Sequence, residues 1–312
     1  MEKKIFTGKT HIYLMISAGI IAVALIMSIF GFGLNMGIDF TGGSLLKYEM
    51  GGDFDVKVVE EALIAAGITE SQIAKAGDGE VKTELQIRTK DLGAEADNMR
   101  VAFEEKLEAA YPDATFVTID TVGAVAGKDL ISNAVISCLI VFACLLVYIA
   151  IRFDLYSGVA ALAALLHDIL IMVSLMVFTR GLYQVNSPFI AAMLTIIGYS
   201  INNTIIIFDR IRENNRLLEY KEGSRQGVVE ASVRQTLSRT INTTITTLIT
   251  LVALYILGVS SIREFTFPLI VGMLAGVYSS VLLSGQIWAT WIDRKTFAFI
   301  TNLFKGKKAK KA

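Results

Sequence analysis

The sequence predicts an α-helical membrane protein: six transmembrane helices in a bundle, with one small α+β domain outside the membrane. Three observations lead there. Hydrophobic residues make up 54% of the 312 residues, too many for a disordered chain or an ordinary soluble enzyme. Six runs approach or exceed the roughly 18 apolar residues that a bilayer crossing needs. Lysine and arginine gather on alternate connections, as expected of a multi-pass chain.

The six runs are 12–32, 130–151, 156–178, 185–208, 241–259 and 265–291. The first is too long for a removed secretory signal and lacks its small-residue cleavage site. Lys3, Lys4 and Lys9 precede it. Arg210, Arg212, Arg216, Lys221, Arg225, Arg234 and Arg239 follow the fourth run, and Lys305, Lys307, Lys308, Lys310 and Lys311 close the chain. The short loops on the other side hold Arg180 and Arg263. Both termini and 209–240 are therefore expected in the cytoplasm. That loop has seven basic and five acidic residues with apolar Ile211, Leu217, Leu218, Val228, Val229 and Val233. Helices lying along the inner membrane face, held by anionic headgroups of the bilayer, are expected there.

Residues 36–129 carry 19 acidic and 9 basic side chains, a net of −10, and are expected outside. Alternating and helical periodicities give strands at 44–50, 71–76, 80–89 and 115–122 and helices at 56–66 and 92–110. That β-α-β-β-α-β order is the ferredoxin-like plan. The domain boundaries read 1–35, 36–129, 130–208, 209–240, 241–292 and 293–312. Cys138 and Cys144 share one run six residues apart, a spacing that implies neither a disulfide nor a metal site.

Polar groups inside such runs are where mechanism is sought, because a charge at the bilayer centre costs about 2.5–3.5 kcal/mol on insertion scales. His167 and Asp168 lie midway along the third run, Asn203 lies in the fourth and Arg239 stands at the start of the fifth. His167 reads as a hydrogen-bonded partner of Asp168, and Arg239 alone would pass for a snorkelling anchor. Thr236, Thr240, Thr243, Thr247 and Thr250 make a stripe suited to packing and backbone hydrogen bonding, and Gly272, Gly276 and Ser280 a small-residue ridge. Pro188 and Pro268 are placed near the outer ends of spans, where a first-turn proline costs little.

Ordered motifs connect these positions. Gly37-Ile38-Asp39-Phe40-Thr41-Gly42-Gly43 follows the first run; its paired glycines permit a sharp, tightly packed turn. Leu166-His167-Asp168, Gly198-Tyr199-Ser200-Ile201-Asn202-Asn203-Thr204, Phe208-Asp209-Arg210-Ile211-Arg212-Glu213-Asn214 and Thr236-Leu237-Ser238-Arg239-Thr240-Ile241-Asn242-Thr243-Thr244 come later. In this order and topology the chain, from Ile12 to about Ile292, resembles the SecF family of bacterial protein-export subunits, within the resistance-nodulation-division (RND) superfamily.

The resemblance implies an RND-type bundle in the bacterial cell membrane. Its implied partners are SecD as a heterodimer, the SecYEG channel, SecA indirectly, and unfolded secretory polypeptides. It also implies use of the ion gradient to draw those polypeptides across after SecA has inserted them, with no covalent catalysis. No cofactor, metal or nucleic acid is expected. One bundle alone is half of a parallel-repeat arrangement, so a second copy or a homologous partner is needed to close an ion site.

In the family an arginine at the place of Arg239 joins an aspartate on the fourth span. The usual string there is G-Y-S-L-N-D, and this chain has Asn203 at the carboxylate position, an amide that cannot titrate. Asp168, Asp209 or a carboxylate of SecD then remains to carry charge. A sodium site is open as well, since an amide oxygen can ligand a hard cation. Two other classes compete: a half-size RND exporter of small molecules or lipids, and a membrane hydrolase using His167 and Asp168. The second has no nucleophile constellation, zinc ligand set or phosphate loop.

Overall fold

The computed structural model describes residues 6, 10–69, 71–77, 83–90, 92, 96–217 and 225–293. The basic arm at Lys3, Lys4 and Lys9, the basic tail, and Leu218 and Lys221 lie outside the described residues. The chain forms two compact units: Met1–Asn35, Ser137–Tyr183 and Pro188–Ala312 in one, Met36–Ile136 with Gln184–Ser187 in the other.

In chain order, helix α1 (Thr10–Ile29) leads to a short helix α2 (Ile38–Thr41), strand β1 (Gly43–Glu49), helix α3 (Val56–Ala65), β2 (Ser71–Ala76), β3 (Glu84–Thr89), α4 (Ala96–Ala110) and β4 (Thr115–Val122). The four strands form one antiparallel sheet in the order β2-β3-β1-β4, the ferredoxin-like arrangement. Alternation explains the pairing: Leu46 and Tyr48 of β1 and Leu85 and Ile87 of β3 are all buried. They pack with Val59, Leu63, Phe103 and Leu107 of α3 and α4. Asp55 caps α3 by accepting the Lys57 N–H at 2.9 Å, a contact typically worth about 1 kcal/mol.

The paired glycines earn their place. Gly42 and Gly43 have φ of 72° and 120°, and a Cβ on Gly43 would lie 2.4 Å from the Thr89 carbonyl oxygen. Asp39 stands just before this turn, and its carboxylate accepts both the N–H (2.7 Å) and the hydroxyl (2.5 Å) of Ser187.

The membrane helices continue as α5 (Ala124–Arg152), α6 (Leu155–Phe178), α7 (Ser187–Arg216), α8 (Arg225–Leu257), α9 (Ser260–Ser279), a π-helical segment Ser280–Ser284 and α10 (Gly285–Asp293). Among the described residues six helices are long and apolar enough to cross a membrane, α9 through α10 counting as one. The apolar faces of α1, α5 and α8 are largely exposed, as lipid-facing helices require.

Three expectations are corrected. The 209–216 and 225–240 stretches are not separate surface helices; they continue α7 and α8 unbroken. No proline interrupts either, and Ile211, Val228, Val229 and Val233 are buried in the same core as Phe208 and Trp288. The 33 residues of α8 extend about 50 Å, well beyond the ~30 Å hydrocarbon layer. Pro268 is not in a first turn but inside α9, which starts at Ser260; Pro188 is the second residue of α7 as expected. The threonine stripe is divided: Thr236 and Thr240 are buried, while Thr243 and Thr250 are exposed. Most of its hydroxyls bond the carbonyl four residues back.

Candidate functional site

Asp168 on α6 is 1% exposed and sits in a ring of hydroxyls and one imidazole. Ser200 of α7 donates to its Oδ2 at 2.5 Å, and His167 Nδ1 lies 3.0 Å from its Oδ1. Ser279, the last residue of α9, contributes a further side-chain hydrogen bond. His167 Nε2 is 2.7 Å from the Ser17 hydroxyl of α1. With Asp168 ionised and the imidazole neutral, the carboxylate accepts from Nδ1–H and Nε2 accepts from the Ser17 hydroxyl. Tyr278 stacks on the imidazole at 5.7 Å, and its hydroxyl donates to the Tyr13 carbonyl at 2.8 Å. Four helices thus meet around the His167–Asp168 pair.

The glycine ridge makes this approach possible. A Cβ on Gly272 would lie 2.7 Å from Ile196 Cγ1, and one on Gly276 would lie 3.0 Å from Ser200 Cβ. The ridge therefore seats α9 against α7 at the level of Ser200. The π-helical turn begins immediately after Ser279, and such bulges concentrate at functional positions in helices.

Asn203 follows Ser200 by three residues, on a neighbouring face of α7. It is fully buried, and neither its Oδ1 nor its Nδ2 has a hydrogen-bond partner among the described residues. The Thr204 and Thr240 hydroxyls are buried and unpartnered as well. α7 and α8 run in opposite directions, and Tyr199 donates to Thr244 Oγ1 at 3.4 Å. Four residues onward in α7 and four back in α8, Asn203 faces Thr240. Unmet polar groups therefore line one seam.

Arg239 does not join them. It is exposed on α8, and among the described residues no hydrogen bond or ion pair reaches its guanidinium. It borders a cavity of about 420 Å³ together with Arg152, Asp209, Arg210, Gln235 and Thr236. Asp209 is 3.8 Å from Arg152, and Arg210 pairs with Glu213 at 2.7 Å. The expected tetrad is thus split between a His167–Asp168 cluster in mid-span, an unpartnered Asn203, and Arg239 in the charged cavity. Of the 37–43 motif, Asp39 acts through Ser187, Ile38 and Phe40 are buried, and Thr41, Gly42 and Gly43 build the turn.

Sequence reasoning missed Ser17, Ser279 and Tyr278. Isolated serines and tyrosines in apolar runs are common, and only the packing of α1 and α9 on α6 reveals their target. Ser200 stands within the 198–204 motif, whose pattern alone assigns it no role.

Six spans, a ferredoxin-like unit and a carboxylate caged at mid-span define a polytopic membrane protein of RND type. Residues 102–294 match the family model described as protein export membrane protein SecD/SecF, C-terminal, and residues 28–51 match the SecD/SecF GG motif. The protein translocase subunit SecF of Desulfurispirillum indicum is 39% identical over 89% of this chain and 88% of its own length. The SecDF subunit of Bacillus subtilis is 34% identical over 94% of this chain but only 39% of its own length. The crystal structure of Thermus thermophilus SecDF, described as a translocon-associated membrane protein, superposes with a TM-score of 0.82 at 32% identity, covering 93% of this chain and 39% of that one. The chain belongs to the SecD/SecF protein-export family, as a SecF member. These relatives support a translocase subunit and not a small-molecule or lipid exporter.

Proposed function

We propose that this chain is the SecF half of a SecD–SecF pair that uses the transmembrane ion gradient to promote export through the SecYEG channel after SecA-driven insertion. Both termini lie in the cytoplasm and the acidic ferredoxin-like unit on the outer side of the bacterial cell membrane, where it meets emerging polypeptide.

The observation that carries this reading is the polar face of α8. Arg239, Asn242, Thr243, Thr246 and Thr250 are all exposed and, at about 100° per residue, fall within one sector roughly 100° wide. Several of the threonine hydroxyls are satisfied by backbone carbonyls, but among the described residues Arg239 and Asn242 have no partner in the chain. Polar side chains at membrane depth face other helices rather than lipid. A homologous SecD bundle supplies such a face, and the longer SecDF relatives accommodate a second stretch on one polypeptide. Its carboxylate opposite Arg239 would replace the one that Asn203 lacks. Within this chain Asp168 is the group able to take up and release a proton, or a cation, by exchanging one of its donors; His167 positions it and Asn203 is a non-titrating liner.

The test is co-purification from native membranes. Asn242→Leu with Thr246→Leu should reduce the SecD recovered with this chain, and export should lose its dependence on the gradient. Full recovery of SecD with these changes and Arg239→Leu together would place the interface elsewhere. Reporter fusions after Gly181 should report the outside and those after Glu222 the inside; the reverse pattern overturns the orientation.

A further inference from the structure

Where α7 ends, Arg212, Asn215 and Arg216 border a cavity of about 120 Å³ with Asp154 and Trp288. Arg212 and Arg216 also border a neighbouring cavity of about 440 Å³ with Arg152. The first holds about four water volumes at ~30 Å³ each, room for a tetrahedral oxyanion.

Its lining is rich in donors and short of acceptors. Asp154 is committed to capping α6, accepting the Ser157 N–H at 2.7 Å and the Ser157 hydroxyl at 2.9 Å. Asp209 and Glu213, which border the larger cavity, lie nearest Arg152 (3.8 Å) and Arg210 (2.7 Å). Among the described residues neither Arg212 nor Arg216 has a carboxylate partner. Arg212 is nonetheless held in place: its Nη1 donates to the Arg152 carbonyl at 3.0 Å, and its guanidinium lies 6.0 Å from the Phe153 ring centroid. Like charges four residues apart on a helix repel, so an anion between them is favoured. An independent observation points the same way. Trp288 is 5% exposed, and its indole N–H has no acceptor among the described residues, which is costly for a buried donor.

Exposed Leu217 (46%) borders the larger cavity, and exposed Ile151 (82%) and Leu155 (36%) adjoin Arg152 and Asp154 in the chain. A free oxyanion would satisfy the donors but leave that apolar rim in water. We propose that Arg212, Arg216, Asn215 and the Trp288 N–H bind the phosphate of an anionic phospholipid at this end of the spans, with its acyl chains along the rim. This site is separate from the Asp168 cluster and does not rest on the export reading.

Trp288 reports on its own site. The chain has two tryptophans, Trp288 and Trp291, and Trp291→Phe leaves the first as the only indole. The full-length variant, delipidated in neutral detergent, is titrated with phosphatidylglycerol, phosphatidylcholine and inorganic phosphate. Phosphatidylglycerol should shift Trp288 emission saturably, while the other two should not at matched phosphate. Arg212→Gln with Arg216→Gln should weaken the phosphatidylglycerol midpoint about 30-fold, and Arg216→Lys, which retains charge and helps confirm folding, much less. An equal shift with inorganic phosphate would make this a free-anion site. No shift with phosphatidylglycerol, or an unchanged midpoint in the double variant, would remove the lipid site altogether.

Discussion

Asn203→Leu separates a structural residue from a functional one. The two side chains are of similar size, so the change neither opens a cavity nor overfills the seam. What it removes is a fully buried amide whose oxygen and nitrogen both lack partners. An unsatisfied buried polar group costs about 1–3 kcal/mol, so the leucine variant should unfold at equal or higher temperature, gaining up to about that amount. The buried hydroxyls of Thr204, next to it in α7, and of Thr240 on α8 can turn back onto helix carbonyls, as Thr243 and Thr244 do. On the proposal that Asn203 lines the ion pathway, export should nevertheless fall, because that position has become apolar. The assays are thermal unfolding of the purified chain and export into inverted membrane vesicles over a range of pH and sodium. A variant that is more stable and exports normally at every pH and sodium level would refute a pathway role for Asn203. A loss of stability beyond about 1 kcal/mol would refute the reading of Asn203 as an unsatisfied buried amide.

Asp168→Asn should abolish gradient-dependent export while leaving the SecD partnership intact, measured by co-purification; normal export would move the titrating group out of this chain. Gly272→Val drives a side chain into Ile196 and should cost about 1–3 kcal/mol of overpacking, with partial rescue by Ile196→Ala read in thermal unfolding. Asp39→Ala removes the carboxylate that accepts two hydrogen bonds from Ser187 and should cost about 1.5–3 kcal/mol, seen as faster exchange of the Ser187 amide. Burial first, and then the Glu104 carboxylate, raise the Tyr48 phenol above its ordinary value. Its contribution to stability is therefore complete below the unfolded value near 10 and is lost as pH rises toward the folded one. Tyr48→Phe should flatten that alkaline loss in limited proteolysis of the 36–122 segment.

How much of this was legible depends on the range of the interactions. The strands of the outer unit follow from local alternation, and Ser71–Ala76 and Thr115–Val122 fall at the residues the pattern gives. The spans follow from composition, but their ends do not. Hydropathy falls at Asp209 and again before Ile241, yet nothing there breaks a helix, so α7 and α8 run on into polar sequence supported by Ile211 and Val229. Within the site, His167 and Asp168 could be found because charge in an apolar run is rare. Ser17 and Ser279 could not, since their meaning comes from residues more than 100 positions away in the chain. Whether Arg239 meets Asn203 within the chain was illegible for a related reason: two separate motifs put the residues on neighbouring helices, but exposure is set by which side of α8 turns inward, and Arg239 is exposed.

The π-helical turn at Ser280–Ser284 acts as a phase shifter in the last span. One extra residue in a helix of 3.6 residues per turn advances everything after it by about 100°. Before the turn, Gly272 and Gly276 meet α7; after it, Trp288 and Ala289 still face the core. Without the insertion the two halves would look in different directions, and only one could be buried. Deleting Leu282 should therefore leave the span long enough to cross the bilayer yet rotate Trp288 and Ala289 out of the core, so this stretch counts residues more strictly than its apolar composition suggests.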